Sequence, residues 1–447
     1  MTSSITPSDA AADRNWRRFV LFRVLFNSRF YYPVLAVLFL DLGLSPTEYT
    51  LLNFAWALAI VFTDVPAGVL ADRLGRKPLV VTATVFMVGE MVFLALAPRN
   101  GGAALFLCCL ANRVMSGMAE GMASGADEAL VFDSLAERNR SSEWPKVLDQ
   151  VMRWQSVGMV IAMLVGGAIY DPVFMNNTVA AFGLPAHLDQ GITLRFPIYL
   201  NLVAAVIALV VVLGFREPKV REAHAAPVDG GKSETCRGAV ELVFSAWRWI
   251  RQTPVALFII VGGVLLDSVT RLFMTFSSTY FRLIELPAAS YGLIGAGLGG
   301  LGLVVSPVAR RMVTNNSLMR NYLIMAALTF GSLIGVALHW RIWGVLFMIP
   351  LGVVMNALGF MLSYYLNALV ESHRRATVLS FKGLAINLGY GFISLLFALA
   401  LRAFRDDGHP EAAMLGGFRL LPLWLVLTLV VLAFGFWRHH KILCGKF

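Results

Sequence analysis

Several charged side chains lie inside the long apolar runs of this chain, where a charge is costly unless it has a partner or a task. Four are basic and four are acidic: Arg23, Arg29, Arg113, Arg271, Asp64, Glu90, Glu120 and Asp267. A carboxylate in such surroundings can be charged in one state and neutral in another, as a proton carrier must be. An arginine there can bind a carboxylate or a phosphate. The pattern predicts ion or solute chemistry in an apolar environment.

Three of the acids are our proton-carrying candidates, in the order Asp64, Glu120 and Asp267. Asp64 comes just before Pro66, where a helix can kink. We expect Glu90 to lie too far outward for this task. Asp267 and Arg271 are four residues apart and therefore share one helix face, so they can form either a structural pair or part of a site.

The composition requires an apolar surrounding. Of the 447 residues, 58% are hydrophobic and only 14% are charged, with a mean hydropathy of +0.70. A soluble domain carries about 25% charged residues. Too few polar residues remain to cover a water-exposed surface, so the outside of the fold must face a bilayer. This excludes a secreted or cytosolic enzyme.

Twelve apolar runs are long enough to span a membrane as helices. They lie at roughly 19–40, 49–71, 78–97, 103–124, 152–170, 194–214, 254–281, 290–309, 320–338, 342–366, 379–402 and 417–436. We predict an all-α membrane protein with six helices in residues 1–214, a central loop in 215–253 and six helices in 254–447. Within the loop, residues 237–252 have the pattern of an amphipathic surface helix. Two six-helix halves predict a binding site between them at mid-membrane.

The net charge of +10 is explained by basic loops on the cytoplasmic side rather than by nucleic-acid binding. The distribution of Lys and Arg places the N-terminus and, after an even number of spans, the C-terminus in the cytoplasm. The four cysteines form neither a disulfide framework nor a zinc site. There is no Walker-type phosphate loop. The sequence therefore predicts no metal, no cofactor and no built-in ATPase.

The loop after the second span has a specific spacing of glycines, an acid and basic residues. Its members are Gly68, Asp72, Arg73, Gly75, Arg76 and Lys77. This spacing resembles the loop between helices 2 and 3 of the major facilitator superfamily. The resemblance implies a gate, with Asp72 facing the start of helix 11. The alternative is an ordinary basic turn on the inner side.

Two further spans carry patterns similar to that family. Arg113, four residues before Gly117, resembles its helix 4 motif, and the family links this arginine to proton coupling; a packing role is the alternative. The fifth span has a row of small residues that resembles the antiporter motif without its proline: Gly158, Ala162, Gly166 and Gly167. Plain helix packing explains this row equally well.

Two segments resemble an uncharacterised bacterial subgroup of the superfamily. One is the acid-x-Pro-x-Gly sequence of residues 64–68, and the other is Ser-Gly-Ala-Asp-Glu-Ala-Leu at 124–130. We expect Asp127, Glu128 and Asp133 either to brace an inner gate or to be solvated charges at a helix end.

In the family, helices 1, 4, 7 and 10 line the central cavity. The resemblance therefore implies substrate contacts from these helices and from helix 11. The candidates are Asn27, Arg29, Tyr32, Arg113, Asp267, Arg271, Asn356 and Asn387.

These observations predict a secondary transporter that moves a small organic solute by alternating access, coupled to protons, with export favoured. A symporter or uniporter for an anionic metabolite is the close alternative. A non-transporting receptor or scaffold is the alternative of another class, and a membrane-embedded enzyme lacks the clustered His, Asp or Ser that it needs. We expect a monomer in a bacterial inner membrane.

Overall fold

The computed structural model describes residues 9–99, 101–185, 187–217, 236–404 and 410–437, without some side chains in these ranges, among them those of Asp72 and Arg73. By compactness the chain forms two units. Unit 1 consists of Met1–Pro33 and Ala59–Ala239, and unit 2 of Val34–Leu58 and Val240–Phe447. The predicted division at residues 214 and 253 stays a prediction, and residues 218–235 of the central loop lie outside the description.

The chain up to the central loop is helical. Its helices are α1 (Asp9–Asn27), α2 (Leu35–Asp41), α3 (Pro46–Leu74), α4 (Arg76–Leu96), α5 (Gly102–Ala123), α6 (Ala126–Ala136), α7 (Trp144–Tyr170), α8 (Pro172–Ala181), α9 (Gln190–Thr193) and α10 (Phe196–Leu213). In unit 1, α4 packs on α5 and α10, and α1 packs on α6, α7 and α10. Phe19, Phe22, Val80 and Leu130 are among the buried side chains of its core.

The first predicted span is broken rather than continuous. α1 ends at Asn27, a short 3-10 helix covers Tyr32–Val34, and α2 begins at Leu35. Pro33 has no N–H and restricts the residue before it, so an α-helix is unfavourable at this point. At the break, backbone groups take partners outside the helix; the Phe30 N–H donates to the Asn201 side-chain oxygen at 2.6 Å. In contrast, α3 continues through Pro66 without interruption.

The rest of the chain is helical as well. Its helices are α11 (Cys236–Gln252), α12 (Pro254–Thr275), α13 (Ser277–Leu283), α14 (Ala289–Asn315), α15 (Leu318–Ala337), α16 (Met348–Leu369), α17 (Ser372–Ala403) and α18 (Pro410–Phe436). In unit 2, α12 packs on α16, α17 and α18, α14 packs on α16, and α15 packs on α18. The predicted surface helix at 237–252 corresponds to α11.

The segment Val34–Leu58 belongs to unit 2 and is fixed there by polar contacts. Arg282 of α13 donates to both carboxylate oxygens of Asp41 at 2.7 Å. The Ser278 hydroxyl accepts from the first-turn N–H groups of Ala36 and Val37, at 3.1 and 3.2 Å. Since the first N–H groups of a helix have no partner within it, Ser278 supplies one for α2.

Ten helical segments among the described residues are long and apolar enough to span a membrane. They correspond to the third to twelfth predicted spans, whereas the first two spans correspond to α1 with α2 and to α3. The described residues contain no strand. The predicted all-α membrane fold is confirmed.

Candidate functional site

A cavity of about 290 Å³ lies in unit 1 at the break between α1 and α2. It is lined by Arg23, Phe26, Asn27, Arg29, Tyr32, Glu120, Ala123 and Ser124. The end of α1 and the broken segment supply one wall, and the end of α5 supplies the other. Four residues that the sequence predicts as cavity or proton-coupling groups therefore meet here, namely Asn27, Arg29, Tyr32 and Glu120.

Arg29 is held in place by a carboxylate from another helix. Its guanidinium pairs with Glu90 of α4, and both side chains are almost completely buried. The Asn112 amide donates to the Glu90 backbone carbonyl at 2.8 Å and thereby ties α5 to the same point. Glu90 thus contacts a residue that lines the cavity, and the expectation that it lies too far outward for proton coupling stays a prediction.

A second ion cluster lies at the same cavity. Arg23 pairs with Asp127 through Nε at 2.7 Å and with Glu128 through Nη2 at 2.6 Å. Asn27 donates to the Arg23 backbone carbonyl one turn earlier on α1, at 2.8 Å. The sequence analysis did not place Arg23 at the site. Its spacing of four residues from Asn27, which puts both on one helix face, could have indicated it.

Asp64 lies beside the cavity and does not line it. Its carboxylate forms a side-chain hydrogen bond with Ser124, a lining residue. α3 and α5 approach closely here, since a Cβ at Gly121 would lie 3.0 Å from the Thr63 Cβ and 3.1 Å from the Asp64 nitrogen. A side chain at position 121 would have to push these atoms slightly apart, so glycine suits this close approach. Ser124 was not predicted as a site residue.

Arg113 is buried in α5, with 5% of its surface exposed. It lies near enough to Tyr31 and Tyr32 to act on them electrostatically. Arg113 itself does not line the cavity, and its predicted part in proton coupling stays a prediction.

The gate loop between α3 and α4 forms a tight connection. Gly75 has φ 102° and ψ 162°, a conformation essentially restricted to glycine. The Arg76 side chain pairs with Asp133 of α6 and donates to the Ala129 carbonyl at 2.6 Å. Asp133 thus contacts the loop, as a bracing acid would. The side chains of Asp72 and Arg73 and the surroundings of Gly68 lie outside the described part, so the gate and its latch by Asp72 stay predictions.

An acid that the sequence analysis missed caps the start of α4. Glu217 accepts from the N–H of Arg76 at 2.8 Å and from the N–H of Lys77 at 2.7 Å. A carboxylate at a helix N-terminus satisfies free N–H groups and interacts favourably with the helix dipole. Glu217 follows the sixth span, and no local pattern in the sequence connects it with residues 76–77.

Unit 2 has a charged cluster of its own on α12. Arg271 pairs with Asp267 at 2.9 Å and donates to the Asn387 side-chain oxygen of α17 at 3.2 Å. Its guanidinium also lies over the Tyr390 ring, 5.7 Å from the centroid. The predicted residues Asp267, Arg271 and Asn387 therefore meet.

Two polar residues of unit 2, Asn356 and Lys382, contact neutral groups rather than charged ones. Asn356 donates to the Gly352 carbonyl of its own helix at 2.8 Å and lies beside Gly302 of α14. Lys382 of α17, which the sequence analysis did not single out, is half-buried and donates to Ser363 at 3.4 Å. Its place in the eleventh apolar run was the signal for it.

The row of small residues on α7 packs closely on the first span. A Cβ at Gly158 would lie 2.6 Å from the Ser28 hydroxyl, and one at Gly166 would overlap the Phe30 carbonyl. Close helix packing is therefore a sufficient explanation of the row. No group of His, Cys, Asp and Glu side chains that could hold a metal ion occurs in the described ranges.

Residues 19–394 match the family described as Major Facilitator Superfamily. The chain belongs to this superfamily. The match covers most of the chain and identifies a multi-pass membrane transporter, not an enzyme. No curated protein sequence gives a significant match.

Solved structures share this superfamily fold at low sequence identity. The nucleoside transporter NupG is 15% identical with a TM-score of 0.68, over 96% of this chain and 99% of that one. A bacterial homologue of the human lysosomal transporter Spinster, inward-facing and unoccupied, is 16% identical with a TM-score of 0.66, over 96% of each chain. A D-xylose-proton symporter is 15% identical with a TM-score of 0.64, over 94% and 97%. These likenesses show the fold alone.

Proposed function

We propose that this member of the superfamily exports a small organic solute by alternating access and couples the movement to protons. The observation that carries the proposal is the cavity in unit 1, where the broken first span brings polar and charged side chains together inside an apolar helix bundle. Groups of this kind within spans typically mark a solute or ion pathway. Interrupted helices at membrane depth are a common way to build such a site.

The charges around the cavity favour an uncharged or cationic solute. The arginines in and beside it are Arg23, Arg29 and Arg113, and the acids are Asp64, Glu90, Glu120, Asp127 and Glu128. The acids outnumber the arginines by five to three, and Arg23 and Arg29 pair with carboxylates. An anionic metabolite would have to compete with these carboxylates, so the uptake of an anion is the second candidate.

Asp64 remains our first candidate for the proton carrier, followed by Glu120 and Asp267, with Arg113 as the coupled basic group. Asp64 has a hydroxyl partner, Ser124. A carboxylate held by a neutral hydroxyl can change its charge without leaving a buried cation unpaired. Asp267 and Glu90, in contrast, each pair with an arginine.

The remaining parts of the proposal follow from the loop charges and the family. We place the chain in a bacterial inner membrane as a monomer with both termini in the cytoplasm. A non-transporting receptor would keep the fold without the flux, which makes a flux measurement decisive between the two classes.

The test is proton movement in liposomes that contain the purified protein and an internal pH-sensitive dye, screened with pools of neutral, cationic and anionic solutes. We expect a solute-dependent pH change that Asp64→Asn abolishes. Asp149→Asn removes an exposed acid of α7, paired with Arg153 outside the cavity, and is the matched control that keeps the signal.

Other outcomes separate the alternatives. Flux without a pH change would contradict proton coupling and point to a uniporter or another ion. A signal with anionic solutes alone would favour the second candidate. The absence of flux with every pool would favour the receptor.

A further inference from the structure

A second cavity, of about 450 Å³, lies in unit 2 between the amphipathic helix α11 and the start of α17. It is lined by Ser245, Ala246, Arg248, Trp249, Gln252, Arg374, Thr377 and Val378. None of these residues is among the predicted solute or proton-coupling groups. The cavity therefore needs an explanation apart from the transport site.

The lining of this cavity is basic and rich in hydrogen-bond donors. It contains two arginines, from two different helices, and no acid. Neither Arg248 nor Arg374 forms an ion pair with a carboxylate in the part of the chain that the structure describes. The hydroxyls of Ser245 and Thr377 and the amide of Gln252 add neutral polar groups. Two guanidinium groups with neutral donors around them suit a phosphate group.

The helix that carries Arg248 is anchored to the rest of unit 2. Ala246 and Ile250 are buried, and the Trp247 ring stacks on Phe381 of α17 with centroids 5.9 Å apart. The two walls of the cavity are therefore held together by packing that does not involve the arginines. A ligand would find the cavity already formed.

Apolar side chains next to the cavity face outward. Phe244 is 62% exposed and Trp247 is 42% exposed, on the same helix as Arg248. Trp247 and Arg248 lie three and four residues after Phe244, so the aromatic side chains and the arginine share the exposed face of α11. Such a mixture of aromatic and basic residues is typical of a helix at the membrane surface. Acyl chains can cover Phe244 and Trp247 while a headgroup reaches Arg248. A free anion would make no favourable contact with these apolar side chains.

We propose that this cavity binds the phosphate headgroup of an anionic phospholipid, with Arg248 and Arg374 as its two principal ligands. Basic recesses at the ends of membrane helices are suited to such headgroups. The lipid then bridges α11 and α17. The part of α11 that lines the cavity and α17 both belong to unit 2, so bound lipid stabilises the contact between the central-loop helix and the eleventh span.

The test is lipid binding to the purified full-length protein in mild detergent, measured by native mass spectrometry with phosphatidylglycerol and with zwitterionic phosphatidylcholine. We expect wild type to retain phosphatidylglycerol preferentially and R248Q/R374Q to bind it about tenfold more weakly or worse. Arg251→Gln is the matched control. It removes an exposed arginine from the same helix, outside the cavity lining, and should leave the affinity unchanged.

The following outcomes would contradict the lipid-binding proposal. Equal weakening by R251Q and by R248Q/R374Q would mean general surface charge and would overturn the proposal. Displacement of the lipid by millimolar inorganic phosphate would show a soluble-anion site instead. If the double variant does not fold, R248Q and R374Q are tested singly; each should weaken binding, and no change in either would overturn the proposal.

Discussion

The charged clusters of unit 1 and unit 2 are built in different ways. In unit 1 the ion pairs at the cavity and at the loop between α3 and α4 join residues that are far apart in the chain, such as Arg29 with Glu90 and Arg76 with Asp133. In unit 2 the pair of Asp267 and Arg271 spans one turn of a single helix. A pair between helices fixes their relative position, whereas a pair within one turn fixes only two side chains.

The pair between helices in unit 1 is also more deeply buried than the pair within one helix in unit 2. The side chains of Arg29 and Glu90 are 2% and 0% exposed, while those of Arg271 and Asp267 are 25% and 13% exposed. A buried charge without its partner is strongly unfavourable, but a partly hydrated one is less so. We therefore expect the pair of Arg29 and Glu90 to be a permanent part of the structure. The cluster of unit 2 can open at low cost, as a group that changes partners in a transport cycle must.

The largest effect should come from removing the carboxylate of the buried pair. Glu90→Gln leaves the Arg29 guanidinium buried without a counter-charge, and we expect about 3–5 kcal/mol loss in the free energy of unfolding. Denaturant unfolding of the purified protein in detergent measures this loss. Asp149→Asn breaks the exposed pair with Arg153 and is the control, with an expected change of about 1 kcal/mol or less.

The double variant Arg29→Met with Glu90→Met shows whether the effect of Glu90→Gln is caused by the uncompensated charge. If the loss in Glu90→Gln comes from the uncompensated charge, removing both charges should recover most of the stability while transport is lost. A loss under about 1 kcal/mol in Glu90→Gln would contradict a permanent structural pair.

The two clusters also differ in how far the sequence predicted them. Spacing alone predicted the pair of Asp267 and Arg271, because four residues make one helix turn. Hydropathy and the family resemblance selected Asn27, Arg29, Tyr32 and Glu120. The partners Glu90 and Asp127 depend on which helices pack together, and the periodicity of one helix does not contain that information.

An effect of intermediate size should come from the loop between α3 and α4 in unit 1, the predicted gate. It tests whether contacts between distant parts of the chain stabilise this unit. In Gly75→Ala, the methyl group meets a backbone conformation that other residues avoid, and it lies 3.1 Å from a carboxylate oxygen of the capping Glu217. We expect a loss of about 1–3 kcal/mol in the free energy of unfolding.

Gly297→Ala is the matched control for this prediction. Gly297 lies inside α14 with nothing within 4 Å of its Cβ position, so alanine there should be neutral or slightly stabilising. Equal effects of the two substitutions would show that the special conformation of Gly75 is not the cause.

The helices were predicted more completely than the breaks in them. Length and hydropathy are properties of a run of residues, and they gave bounds near the observed ones for α4, α5 and α10. The break in the first span depends on a few backbone groups around Pro33, and hydropathy averaged over a run does not register it. The consequence is functional, because the break positions Arg29 and Tyr32 at the cavity.

The smallest effect should come from unit 2, and it decides whether the comparison holds. In Asp267→Asn, Arg271 keeps Asn387 and the Tyr390 ring as partners and is partly exposed, so we expect a loss of only about 1 kcal/mol in the free energy of unfolding. Denaturant unfolding of Asp267→Asn and Glu90→Gln under the same conditions compares their losses in the free energy of unfolding. Solute flux in liposomes, measured with the same Asp267→Asn protein, shows whether transport is lost although stability is nearly unchanged. A loss as large as that of Glu90→Gln would mean that the pair in unit 2 is as permanent as the one in unit 1, and Asp267 would no longer be a candidate for a group that changes its charge.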